Sequence, residues 1–205
     1  CHDLGELLGG RPVWLAAEVG GQELDIVEAA HRKAFRSAHR LLLIIVPRKD
    51  EDADRLSARL EKQGWQVSQR STMAEPDPEV QICVADTEEE LGLWYRLAPA
   101  SFIGGTLAQD LEPTDPFAPA TLGSAVLHGP QFGRSASRFA SLDTHSASLL
   151  VRNAEELGDA VITLLAPDKA ASLAQAGWAT TTESAHVVER IAESNQEITD
   201  ETDGV

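Results

Sequence analysis

The chain has 205 residues, enough for one ordinary α/β domain or two very small ones. Hydrophobic residues make up 42% and aromatics only 5%, which predicts a globular chain with a core of Ala, Leu, Val and Ile. A formal net charge of -16, from 33 acidic against 17 basic residues, excludes nucleic acid and a broad basic face on anionic lipid; a small anion in one local basic pocket stays open.

The acidic excess gathers at Asp50-Glu51-Asp52, Glu88-Glu89-Glu90 and Glu193 to Asp203, which read as solvated faces or loops rather than metal sites. Two cysteines, Cys1 and Cys83, make no disulfide framework, and a reducing compartment fits. Cys83 reads as an inert core thiol. No targeting segment is visible, and the longest apolar run is far short of a membrane span. The chain opens at Cys1 with no initiator methionine, which predicts a domain cut from a longer protein.

Residues 1–11 read as a short helix or lead-in ending at Gly9-Gly10, and Val13 to Ala17 as a first strand. Gly20-Gly21 makes a turn, and Glu23 to Arg36 has helical spacing, with Leu24, Val27, Ala30 and Ala34 on one face. Leu41 to Val46 is apolar without a break and closes at Pro47-Arg48, the pattern of a strand buried on both faces. Asp52 to Gln63 is an amphipathic helix stopped by Gly64. Gln66 to Ser68 and Val80 to Val84 are short strands. Thr87 with Glu90 forms a capping box for a helix through Leu91, Leu93, Trp94 and Leu97. Ala100 to Ile103 is a strand ending at Gly104-Gly105, Pro116 to Leu122 a possible helix, Ala125 to His128 a strand and Ser148 to Val151 another. Helices follow over Ala154 to Leu165 and from Asp168 to Ala185 or beyond.

This alternation predicts an α/β fold: an open, mainly parallel sheet of about six strands with helices on both faces. One domain is expected over 1–192, followed by an acidic tail, 193–205, that either extends a helix or is mobile.

In such a sheet the loops after the strands share one edge, where ligands bind. Here they are Glu18 to Gln22, Pro47-Arg48, Asp86 to Glu90, Gly104-Gly105-Thr106 and Gly129-Pro130-Gln131. Arg48 offers a planar fork for a phosphate or carboxylate; the alternative is a surface arginine paired with Glu51 or Asp52. Trp14, Trp65 and Trp94 read as packing rather than base-stacking platforms. His31, His39, His128 and His145 share no metal-ligand spacing, and Ser135, Ser137 and Ser141 lie in no nucleophile elbow.

The order of five segments carries a resemblance. They are Arg11-Pro-Val-Trp-Leu-Ala, Leu-Leu-Ile-Ile-Val-Pro-Arg48, Ala85-Asp-Thr-Glu-Glu-Glu-Leu-Gly-Leu-Trp-Tyr95, Ser101-Phe-Ile-Gly-Gly-Thr-Leu107 and Ala125-Val-Leu-His-Gly-Pro130. Together they resemble the C-terminal half of the 3-deoxy-D-manno-octulosonic acid (Kdo) transferases of lipopolysaccharide synthesis, over roughly residues 11–192. The resemblance implies a Rossmann-like GT-B C-terminal domain that binds the donor, CMP-Kdo. It also implies an N-terminal domain outside this chain that holds the lipid A precursor and the catalytic base. No metal or other cofactor is implied, and the whole protein is expected at the cytoplasmic face of the bacterial inner membrane.

Carried over residue by residue, the expected donor-binding set is Pro47, Arg48, Asp86, Thr87, Glu90, Gly104, Gly105, Thr106, Asp115 and Pro116, with no catalytic residue and no metal ligand in this chain. Arg48 would hold donor phosphate or carboxylate; Glu90 and the backbone near Gly104-Gly105 would position the nucleotide. The departures are as informative. Lys49 and Asp50 follow Pro47-Arg48 where the family has His-Pro, and Glu88 and Glu89 replace Met and Gly. The family's Gly-Gly-His-Asn-Pro-Leu-Glu loop has become Glu112-Pro-Thr-Asp-Pro-Phe-Ala118; its ribose-binding glutamate is Ala118 here, and its asparagine Asp115. Added carboxylates beside an anionic donor weaken binding unless Arg48, Lys49 or Arg134 offsets them. Two rival expectations follow: a degenerate paralogue that binds or scaffolds without transfer, and a transferase for another nucleotide sugar.

Overall fold

The computed structural model describes residues 10–49, 51–72, 78–87, 89–109 and 111–202, with side chains as far as residue 185. Residues 1–9 of the expected lead-in over 1–11, and Asp50 and Glu88, lie outside the described residues.

The strands are β1 (Val13–Val19), β2 (Leu42–Pro47), β3 (Val67–Gln69), β4 (Ile82–Val84), β5 (Ala100–Ile103), β6 (Ala125–His128) and β7 (Ser148–Leu150). They form one parallel sheet in the order β3-β4-β2-β1-β5-β6-β7. The helices are α1 (Glu23–Phe35), α2 (Ala53–Lys62), α3 (Leu91–Leu97), α4 (Phe117–Thr121), α5 (Ala136–Thr144), α6 (Ala154–Leu164) and α7 (Pro167–Thr202). The unbroken apolar runs of β1 and β2 are explained by burial on two faces. Trp14, Ala16, Leu43 and Ile45 pack into the layer built by α1, α2 and α6. Val13, Leu15, Ala17, Leu42 and Ile44 alternate to the other side, against Trp94 and Tyr95 of α3. Ile103 and Val126 continue that second layer against Phe139 and Leu142 of α5.

Beyond β1 the chain builds β2, β3 and β4 on one side, then crosses to build β5, β6 and β7 on the other. The topological switch point is therefore the β1/β5 junction, outside whose carboxyl ends a crevice must open.

Two local readings are revised. Thr87 does not cap α3: the helix starts at Leu91 behind Glu90, and the Thr87 hydroxyl instead donates to the Glu90 carboxylate. The segment 133–144, in which no element was expected, forms a 3-10 turn (Gly133–Ser135) and α5. Its sequence hid this because only Phe139 and Leu142 are buried in nine mostly polar residues. At the C-terminus, α7 runs unbroken through residue 192 to Thr202, the helix-extension alternative. Cys83 is buried in β4, and burial pushes its thiol pKa up, consistent with a core thiol.

Candidate functional site

Two distinct regions lie along the carboxyl edge. The first is the β1/β5 crevice. Pairing of β1 with β2 shifts register between Ala17 and Val19, and the extra residue, Glu18, sits at φ 53°, a left-handed conformation unusual for a side-chain-bearing residue. This bulge turns the Glu18 carbonyl toward β5. A Cβ at Gly104 would collide with the carbonyls of Ala17 and Glu18, so glycine is required there by the neighbouring strand. Gly105 has φ 79° and packs on the Glu112 carbonyl. Both glycines are explained by chain packing, not by ligand approach.

The backbone donors that follow are also engaged. Glu23, the first residue of α1, is fully buried, and its carboxylate accepts from the N–H groups of Gly105 (2.7 Å), Leu107 (2.7 Å) and Ala108 (3.3 Å). Burial raises the Glu23 pKa, against the pull of these three hydrogen bonds and of the Arg48 charge. An internal carboxylate thus fills the anion nest expected to face a nucleotide. Thr106 is buried below it, donating to Ile103 O (2.6 Å) and accepting from Gly129 N (2.8 Å). Gly104, Gly105 and Thr106, three of the expected donor-binding residues, thus have chain atoms as their partners in this structure. Glu23 was missed because a glutamate opening a helix reads as a dipole-favoured surface residue.

The second region is a cavity of about 530 Å³ over the carboxyl ends of β1, β2 and β4. Pro47, Arg48, Asp86 and Thr87 line it together, with Glu18, Gln69 and Trp94. The Arg48 guanidinium pairs with neither the Glu51 nor the Asp52 carboxylate, and Glu51 meets Arg48 instead through a hydrogen bond from its backbone N–H to Arg48 O (3.0 Å). Its Nη1 donates to the carbonyls of Glu18 (3.4 Å) and Glu112 (3.1 Å), tying the β1 bulge to the loop after β5. Glu51 accepts from Gly21 N (2.6 Å), and Asp52 caps α2 through Arg55 N (3.0 Å). Because Gly105 and Arg48 both meet the Glu112 carbonyl, the two regions adjoin there.

Asp86 is fixed from the β3 side. It accepts from Gln69 Nε2 (2.7 Å), Ser71 Oγ (2.6 Å) and Ser71 N (2.9 Å). Partial burial pushes its pKa up, but these hydrogen bonds outweigh that and hold it below the usual carboxylate value. Glu90 does not line the cavity. It takes a bidentate pair from Arg70 (3.1 and 3.1 Å), which holds its pKa down. Arg70, in the turn after β3, is a residue the sequence reading passed over.

The fourth expected segment, Asp115-Pro116, lies elsewhere. Asp115 pairs with Arg138 and accepts from Phe117 N (3.0 Å), and Arg138 lies over the Phe117 ring (5.3 Å to its centroid). Asp115, Phe117 and Ala118 line a separate cavity of about 840 Å³ between α4, α5 and α7. Pro116, behind α4, is buried and lines neither cavity. Of the basic candidates, Lys49 and Arg134 are exposed, and Glu112 accepts from the Arg134 backbone N–H (2.8 Å). Among the described residues no group of three or more His, Cys, Asp or Glu is placed to hold a metal ion.

A one-sheet parallel α/β domain with its open loops at the β1/β5 switch point is the architecture of the C-terminal half of GT-B glycosyltransferases. The C-terminal CMP-Kdo binding domain of WaaA from Acinetobacter baumannii superimposes with a TM-score of 0.81 at 23% identity, covering 87% of this chain and 94% of that one. Anabaena Alr3699/HepE, in complex with UDP and glucose, superimposes at 0.65 with 12% identity, over 96% of this chain and 52% of that one. In sequence, the chain is 31% identical over 129 residues to the 3-deoxy-D-manno-octulosonic acid transferase of Haemophilus influenzae, covering 60% of this chain and 30% of that protein. It is 30% identical over 133 residues to a probable mitochondrial 3-deoxy-D-manno-octulosonic acid transferase of Arabidopsis thaliana, covering 64% of this chain and 30% of that protein. The chain is a divergent relative of the Kdo transferases and corresponds to their C-terminal domain. It spans about 30% of the length of these curated relatives. No family model matches the chain.

Proposed function

We propose that this chain is the donor-binding domain of a Kdo-transferase-like glycosyltransferase, residues 1–192 forming the binding domain and CMP-Kdo or another nucleotide sugar being the ligand. The observation that carries the reading is the agreement of two independent likenesses: identity near 30% to Kdo transferases, and near-complete overlap with a CMP-Kdo binding domain. The cavity bounded by Pro47, Arg48, Asp86 and Thr87 is the place for the nucleotide. Its size falls within the range of small-molecule sites. Acceptor binding and the catalytic base belong to a domain outside this chain, where the lipid A precursor would be held. The assembled protein would act at the cytoplasmic face of the bacterial inner membrane. No helix among the described residues is long and apolar enough to cross a membrane.

A second reading, a non-transferring paralogue, is favoured by one observation. Where the family's ribose-binding glutamate belongs, Ala118 has no acceptor, and the adjoining Asp115 is committed to Arg138. Titration calorimetry with CMP, and with other nucleoside monophosphates, separates the readings. The expected outcome is weak CMP binding in the wild type; Phe117→Leu with Ala118→Glu tightens it, by about 1–3 kcal/mol, only where the ribose reaches the separate cavity between α4, α5 and α7, and unchanged affinity keeps the whole nucleotide at Pro47, Arg48, Asp86 and Thr87. A base other than cytosine bound more tightly would point to another nucleotide sugar. No binding of any nucleotide at millimolar concentration, in either variant, would refute the donor-binding reading.

A further inference from the structure

The described residues contain three buried indoles, and two of them are satisfied. Trp14 Nε1 donates to His31 Nδ1 (3.1 Å), and Trp65 Nε1 donates to Glu28 Oε1 (2.7 Å). Trp94 differs. It is only 4% exposed, it lines the 530 Å³ cavity, and its buried Nε1–H has no hydrogen-bond partner. A buried donor left unpaired forfeits its hydration with nothing in return, and such groups call for an explanation.

The rest of the lining says what kind of group is missing. Six acidic residues, Glu18, Glu51, Asp52, Asp54, Asp86 and Glu89, line the same cavity with Arg48 and Lys49, and four of them, Glu51, Asp52, Asp54 and Asp86, already accept a hydrogen bond from the chain. Arg48 is already drawn to the Glu18 and Glu112 carbonyls. An inorganic anion would satisfy the indole but meet the carboxylates. A neutral heterocycle would suit both: a ring acceptor toward Trp94, with exocyclic amine or hydroxyl donors toward the acidic rim.

We propose that Trp94 is a ligand-contacting specificity residue whose Nε1–H donates to a ring keto oxygen of a nucleobase seated between Glu18, Pro47-Arg48 and Asp86-Thr87. This rests on the nucleotide-binding reading above and assigns the base, rather than the phosphate, to this cavity. The phosphate then faces the rim at Arg48 and Lys49, the lining residues that carry positive charge.

The test is ¹⁵N–¹H spectroscopy of the indole and backbone amides of the whole chain, titrated separately with cytidine, CMP and inorganic phosphate. Cytidine and CMP are expected to move the Trp94 indole signal downfield while those of Trp14 and Trp65 stay in place, and phosphate alone is expected to leave it unmoved. Trp94→Phe keeps an aromatic ring, smaller than the indole, and removes the donor. It is expected to bind CMP roughly fivefold to tenfold more weakly, the loss of one hydrogen bond; the smaller ring also leaves a void in the packing around Trp94 and lowers Tm. A residue that serves packing alone would show the lower Tm with unchanged affinity. If CMP moves the amides of Arg48, Ala85 and Asp86 but leaves the Trp94 indole still, this assignment is wrong and the nucleotide reading stands. Movement of the indole by phosphate alone overturns the base assignment. No movement of any signal by millimolar CMP or cytidine overturns both.

Discussion

The two regions of the ligand edge differ in how completely their polar groups are paired. At the β1/β5 crevice, Glu23 takes three backbone N–H groups, Thr106 bridges Ile103 and Gly129, and two glycines are fixed by carbonyls of neighbouring segments. Over β2 and β4, a buried indole donor has no partner and the lining carries several carboxylates. Both regions sit where the topology places ligands; the first spends its backbone donors on chain partners, whereas the second keeps the Trp94 indole donor unpaired beside an open cavity. The loops of a switch point are therefore not equivalent: some brace the crevice, and others line an open cavity.

The contrast is broken most severely at Glu23. Removing the carboxylate by Glu23→Ala leaves the N–H groups of Gly105, Leu107 and Ala108 buried without an acceptor, a loss expected to total about 3 kcal/mol after relief of the carboxylate's own burial. Denaturant midpoints should fall accordingly, and amide exchange at 105–108 should accelerate. A loss below about 1 kcal/mol would mean that the loop after β5 holds its shape without Glu23.

The helix that carries Glu23 also carries His31, which extends the braced region into the core. Its Nδ1 accepts from Trp14, so its Nε2–H is left to donate to Gln81 O (3.2 Å), the neutral tautomer. Burial, ahead of the smaller effects of Arg11 and Arg32, lowers its pKa from 6.5 to about 3. The folded chain then binds fewer protons here than the unfolded chain between those values. The contribution to stability is complete above about pH 6.5 and is lost as pH falls toward 3, at about 1.4 kcal/mol per pH unit where the difference is one proton. His31→Gln, which keeps an acceptor and a donor but does not titrate, should flatten that dependence in melts from pH 7 to 4. An equally steep slope in the variant would place the titrating group elsewhere.

On the binding side, Arg70 is expected to matter less. The Arg70–Glu90 pair is partly exposed, with side chains 23% and 26% accessible, so Arg70→Leu should cost about 1 kcal/mol despite its bidentate geometry. The Glu90 pKa is held below 4.5, first by Arg70, so the pair's contribution is complete above that value and is lost as pH falls through the lower, folded-state value. The gap in midpoint between wild type and variant should narrow as pH is lowered below 4.5; a constant gap would show that the pair contributes by packing rather than by charge.

Much of this fold was legible in the chain. All seven strands and six of the seven helices follow from apolar runs, 3.6-residue spacing and the glycine stops, because burial on two faces leaves a strong pattern. The element over 133–144 was not legible: its helix buries two side chains and exposes most of the rest. The site was legible in part. Proximity to strand ends brings Pro47, Arg48, Asp86 and Thr87 to one cavity, as topology requires. What side chains do there is set by partners far away in sequence. Glu90 is taken by Arg70, 20 residues earlier, and the Gly105 amide by Glu23, 82 residues earlier. No periodicity records such pairings, and a motif read residue by residue assumes that its polar groups are still free.

Arg48 stands at the junction of the two regions, and its role is the finest test of the distinction. Its Nη1 bridges carbonyls of Glu18 and Glu112, which is a bracing role, while its stem and charge border the binding cavity. Arg48→Ala should cost about 1 kcal/mol in stability, the worth of hydrogen bonds from a charged donor at a partly exposed site. If the guanidinium also neutralises donor phosphate, the same variant should remove most of the salt dependence of CMP binding, since screening acts on a long-range charge and not on a short carbonyl contact. Arg48→Lys discriminates further: it keeps the charge but loses the planar fork, so it should retain the salt dependence while losing part of the stability. Affinity measured at two ionic strengths on wild type and both variants gives the answer. A salt dependence that survives Arg48→Ala would move the phosphate contact to Lys49 or Arg134 and leave Arg48 as part of the brace.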